Sequence, residues 1–153
     1  ASTGHAILWV RLARHLPKRS APFDLARLVT TLVLRALSSD AEAQRSGLCV
    51  LMDQRGMGLK NLDMRVPKLL MGSVLPRLPV RVARLVIFKP PMLVGKLLLP
   101  VVLSLMSKKL TSRIVIINSG KDEISKLHTI FPKQALPHDL GGTFNEIFPT
   151  HPY

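Results

Sequence analysis

Residues 47–53 read Gly-Leu-Cys-Val-Leu-Met-Asp. Five successive apolar side chains between a glycine and an aspartate leave no position for a solvated face. A run this short and this apolar is a strand covered on both sides, as in a parallel sheet. Working outward, Arg113 to Asn118 (Arg-Ile-Val-Ile-Ile-Asn) repeats the pattern more cleanly. Arg81 to Phe88 is strand-like through Val82, Leu85, Val86 and Ile87, and Ala6 to Leu12 through its β-branched and aromatic content.

The segments between these runs carry helical spacing. From Phe23 to Leu37, Leu25, Leu28, Val29, Leu32 and Ala36 recur at 3–4 residues, with Arg27, Thr31 and Arg35 opposite. Ser38 to Ser46 is a polar linker with room for helix around Glu42. Asn61 is placed to cap a helix running to Leu75, with Leu62, Val66, Leu69, Leu70 and Val74 on one face. Pro67 either kinks that helix or delays its start to near Arg65. Pro76 to Pro79 breaks the chain. Lys121 to Phe131 is a short amphipathic helix with Ile124, Leu127 and Ile130 inward, and Leu136 to Thr143 is a Pro- and Gly-punctuated turn. The order β-α-β-α-β-α-β-α predicts an α/β fold: a mainly parallel sheet flanked by helices, with right-handed crossovers. Residues 1–145 read as one domain and 146–153 as a C-terminal tail.

The chain has 153 residues, and 22 Lys+Arg against 9 Asp+Glu give a formal charge of +13. That imbalance points to an anionic partner or surface. Hydrophobic content of 47% excludes a disordered basic tail. Aromatics are only 5%, and the single tryptophan, Trp9, lies inside the first strand, so the stacking platforms of single-strand binders are missing and no nucleic acid is expected as partner. Cys49 is the one cysteine, which rules out an internal disulfide framework and a cysteine-built zinc site. His5, His15, His128, His138 and His151 lack metal-site spacing. There is no G-x-S-x-G elbow and no Walker loop, and Gly56 and Gly58 lack the third glycine of a dinucleotide loop. No cofactor, metal or catalytic residue is expected, and the chain reads as a non-enzyme. Ala6 to Val10 is too short for a secretory h-region, so the expected location is cytoplasmic. Lacking an initiator Met, the chain reads as a piece of a longer protein or a processed form.

Pro90 to Met106 is the greasiest region. Met92, Leu93, Val94, Leu97, Leu98, Leu99, Val101, Val102, Leu103, Leu105 and Met106 surround nearly the whole helix circumference; Gly95, Lys96, Pro100 and Ser104 are the exceptions. It is shorter than the ~20 residues a membrane span needs, and a surface helix of an α/β domain keeps one polar face. The expectation is a helix bent at Pro100, with one face on a lipid-sized cavity and another meeting a membrane. Lys89, Lys96, Lys108 and Lys109 are then placed to touch headgroup phosphates, and the protein is expected at the membrane periphery.

Gly47 to Gly56 (Gly-Leu-Cys-Val-Leu-Met-Asp-Gln-Arg-Gly), Leu78 to Pro91 (Leu-Pro-Val-Arg-Val-Ala-Arg-Leu-Val-Ile-Phe-Lys-Pro-Pro), Leu103 to Ile114 (Leu-Ser-Leu-Met-Ser-Lys-Lys-Leu-Thr-Ser-Arg-Ile) and Leu136 to Thr143 (Leu-Pro-His-Asp-Leu-Gly-Gly-Thr) resemble, in order and spacing, the CRAL-TRIO lipid-binding domain family. Gly4 to Leu8 suits its opening strand. The resemblance implies a hydrophobic pocket between the sheet and a mobile gate helix, here Met92 to Met106. Val50, Met52, Leu85, Ile87, Ile114 and Ile116 are then the pocket floor, and Met92, Leu97, Leu98, Val101, Val102 and Leu105 the gate side. The sequence lacks the family's usual small helical domain ahead of the lipid domain. Lys89 stands where an asparagine is usual, and Val102-Leu103-Ser104 replaces the lysine-bearing stretch of phosphatidylinositol binders. The implied function is binding and transfer or presentation of a hydrophobic lipid at membranes, without catalysis. The alternative is a module that recruits a larger signalling protein to an anionic membrane or a protein partner without lipid transfer.

Overall fold

A computed structural model describes residues 4–38 and 41–145. They form two compact units, residues 4–118 and residues 119–145. The tail expected after Asn145 lies outside the described residues.

The first unit is built on four parallel strands in the order β1-β2-β3-β4: β1 Ala6–Arg11, β2 Leu48–Asp53, β3 Val82–Phe88 and β4 Ile114–Ile117. The chain order of strands and helices is therefore the one the apolar runs predict. The last strand is shorter than expected, ending at Ile117 before Asn118. Register places Leu51, Val86 and Val115 level on one face, followed by Asp53, Phe88 and Ile117. Leu51, Val86 and Phe88 of this set have no exposed surface, and Ile117 almost none. This face is the solid core. Asp53 closes it at the strand end, where Arg55 Nη2 donates to its carboxylate at 2.7 Å and Nε at 2.9 Å.

Gly47 enters β2 in the left-handed region, φ +94, and a Cβ there would collide with the Arg81 carbonyl. That carbonyl accepts the Leu48 N–H at 2.8 Å, so the close approach that only glycine permits starts the β2–β3 ladder.

Helix α1, Pro22–Ser38, opens on a proline at its first position, where a missing N–H costs nothing. α2 spans Ala41–Ser46, inside the expected linker. α3 starts at Arg65, not at Asn61: Pro67 falls in its first turn, where it is tolerated. α3 ends at Leu69 and continues as a wider π-helical turn, Leu70–Val74. Two residues ahead of α3, the Arg65 guanidinium and N–H hold the Asp63 carboxyl below the usual carboxylate range.

Asn61, expected as a helix cap, instead ties two loops together. Its Nδ2 donates to the carbonyls of Ala13 (2.9 Å) and His15 (2.8 Å), and its Oδ1 accepts the Gly58 N–H (2.9 Å). The side chain is buried. Asn61→Ala removes the side-chain partner of three part-buried backbone groups at once, so we expect a loss of about 2–3 kcal/mol. Thermal unfolding followed by circular dichroism should show a midpoint lower by roughly 5–10 °C.

The second unit carries α7, Glu123–Ile130, two residues shorter at its start than the expected Lys121. Its Leu127, Phe131, Leu136 and Leu140 are buried. His128 Nε2 lies 2.9 Å from the Leu140 carbonyl, and Gly141 turns at φ +71 beside the same ring.

Candidate functional site

Between β3 and β4 the chain runs through α4 (Met92–Leu97), α5 (Leu99–Ser104) and α6 (Lys108–Thr111). The single bent helix expected over 92–106 is thus two helices, broken at Leu98. Pro100 has no N–H, so the Lys96 carbonyl loses its donor four residues on. The bonds on either side, Leu98 N–H to Val94 O and Val102 N–H to Leu98 O, remain. Ser107 ends the run by capping α6, its Oγ accepting the Leu110 N–H at 3.2 Å.

Leu93, Leu97, Val101 and Leu105 recur every fourth residue and are all exposed; with Met92, 75% exposed, and Leu97, 62%, they make an apolar stripe facing water. Val94 is buried, while Leu98, Leu99, Val102, Leu103 and Met106 are half-buried. Both sides of the segment are therefore apolar. An exposed contiguous apolar surface of this kind marks an interaction site.

A cavity of about 570 Å³ opens at the end of this segment. Leu105, Met106 and Leu110 line one side, and Met71, Leu75, Pro76 and Val80 another. Arg81, Lys109 and Arg113 supply three positive charges, with no carboxylate in the lining. Of the residues expected in a pocket, only Leu105 touches this cavity, and of the expected headgroup lysines only Lys109. Sequence reading missed Met71 and Leu75, because the π-helical turn that carries Met71 and ends against Leu75 has no signature in the apolar spacing. It also missed Arg81 and Arg113, taken only as the residues opening strands.

The six expected floor residues are brought together elsewhere. Val50, Leu85 and Ile114 stand level across β2, β3 and β4, and Met52, Ile87 and Ile116 form the next row on the same face. This face differs from the solid core. Leu85 and Ile87 are buried, but Val50, Met52 and Ile114 are only half-buried and Ile116 is 40% exposed. Lys96, Lys108 and Lys109 are exposed; Lys89 is half-buried and adopts the left-handed region at φ +50, just ahead of Pro90-Pro91. Cys49 lies on the core face, where burial pushes its thiol up and keeps it protonated.

The family model for the CRAL/TRIO domain matches residues 2–142. The chain belongs to the CRAL/TRIO domain family. It is also 26% identical over 147 residues to a Mus musculus protein described as alpha-tocopherol transfer protein-like. That match covers 94% of this chain and 41% of the mouse protein, so this CRAL/TRIO domain spans less than half the length of that relative. Among the described residues, no helix is long and apolar enough to cross a membrane.

Proposed function

We propose that this domain binds a water-insoluble lipid and exchanges it with, or presents it at, an anionic membrane, without chemical turnover. The observation that carries this reading is the segment 92–105, apolar toward the protein and apolar toward solvent. Such a segment is stable against water on neither side and finds a matched solvent in lipid. Family membership and the mouse relative's description support the lipid class.

The sheet gives the lipid a wall. Strand order 1-2-3-4 with right-handed crossovers lays every connection over one face. L-stereochemistry links the direction of a strand N–H to the face its side chain takes. Leu48 and Leu85, whose N–H groups donate toward the next strand in order, share a face with the connections. Alternation puts Val50, Met52 and Ile87 there too. On this reading the half-open aliphatic rows face α4 and α5, which act as a gate. Burying an acyl or isoprenoid chain between them gains ~0.8 kcal/mol per methylene. Opening the gate at a bilayer transfers the Met92–Leu105 stripe into hydrocarbon rather than water, which lowers the cost of release. Lys89, Lys96, Lys108 and Lys109 then each add up to ~1 kcal/mol near an anionic leaflet.

Organic extraction of the purified protein followed by mass spectrometry tests the reading: a stoichiometric lipid supports it. An empty domain that still binds vesicles but moves no lipid between them would mean recruitment of a larger protein instead. Lys108→Glu with Lys109→Glu should weaken co-sedimentation with anionic vesicles about tenfold at low salt and leave neutral vesicles unaffected; unchanged binding removes these lysines from the docking face.

A further inference from the structure

We propose that Gln54 anchors the polar end of the bound lipid, and that this end is a hydroxyl group. The inference rests on the lipid-binding reading above and adds the recognition element.

The parallel ladder continues one step past the assigned strands. Gln54 N–H donates to the Phe88 carbonyl at 3.0 Å, and Lys89 N–H to the Ile117 carbonyl at 2.7 Å. In a parallel pair this sets Gln54 level with Lys89, and Lys89 level with Asn118. The aliphatic rows Val50-Leu85-Ile114 and Met52-Ile87-Ile116 are therefore followed, at the carboxyl ends of the strands, by a row of polar residues. Two residues on from Met52, Gln54 continues the same face. Its side chain is more than nine-tenths buried, and its Oε1, closed off from water, accepts no hydrogen bond. A buried acceptor left unmet costs stability, and native folds keep one where something else completes it. A lipid lying along the two aliphatic rows would bring its terminal group to this atom. A hydroxyl both donates and accepts, so it completes the carboxamide in either amide orientation. The carboxyl edge of a parallel sheet is where open α/β folds bind ligands, and here it adjoins Lys89, where the gate departs.

The test equilibrates the protein with phosphatidylcholine vesicles holding equal amounts of hexadecanol and methyl hexadecyl ether, then quantifies the lipid retained on the re-isolated protein. Wild type should retain the alcohol about tenfold over the ether. Gln54→Leu should bring the ratio near one while recovering as much ether, with an unliganded thermal midpoint no lower than wild type. Equal recovery of both lipids by wild type overturns the anchor and leaves the carrier reading standing; this comparison needs no variant. An alcohol preference surviving in Gln54→Leu overturns it as well, and a lowered midpoint beside it would assign Oε1 to a structural water. Recovery of neither lipid by wild type overturns the carrier reading and the anchor with it.

Discussion

Leu97→Asp combined with Val101→Asp should lower the rate of lipid transfer between vesicles by two orders of magnitude or more while leaving the thermal midpoint within a degree or two. Both side chains lie in water, at 62% and 46% exposure, so the folded domain loses little packing when they become charged. At the bilayer the balance reverses. Each aspartate must enter the interface with its charge or take up a proton, at a cost of about 2.5–3.5 kcal/mol per residue if it reaches the hydrocarbon centre and less at shallower depth. Two such residues one turn apart interrupt the stripe at its middle. A fluorescent lipid moving from donor to acceptor vesicles gives the rate, and calorimetry gives the midpoint. Transfer at the wild-type rate would show that the membrane meets another face.

Phe88→Ala should have the largest effect on folding. The ring has no exposed surface and stands level with Asp53 and Ile117 in the last row of the core face, on one of the two inner strands. Truncation removes the transfer free energy of the ring and leaves a cavity between two strands that cannot close on it, about 3–5 kcal/mol together. The Arg55 guanidinium, 5.6 Å from the ring centre, also loses the aromatic face beneath it. Chemical denaturation should show a midpoint shifted strongly down with an unchanged slope. A shift under 1 kcal/mol would mean that the core face repacks freely.

Strand positions were legible because short runs of consecutive apolar residues leave their mark: five apolar positions at 48–52 and four at 114–117 are too few for a buried helix. A period of two pairs Val50 with Met52, Leu85 with Ile87 and Ile114 with Ile116; the family resemblance joined the three pairs into one set, and the register places them on one face. Contacts remote in sequence were not legible. Asn61 looked like a cap because a cap is a local device, yet its partners are 46 and 48 residues away. The break at Leu98 was half visible: Pro100 announced a bend, but loss of one bond beside Gly95 divides the helix outright. The cavity at Met71 and Leu75 depends on a widened helical turn, and apolar spacing is blind to an extra residue in a turn. Gln54 carries no mark in the sequence, because an unmet acceptor is a property of its surroundings.

Because each strand pairs only with the one made just before it, the sheet can assemble in the direction of synthesis. β2 docks on β1 and β3 on β2 before β4 and the residues after it have left the ribosome. The nascent domain would then lay down its core rows first and hold the sticky 92–105 stretch only briefly without a neighbouring strand. The side of that stretch turned to the protein, Val94 with its half-buried neighbours, therefore waits only briefly for cover, and that ordering is written into the topology itself.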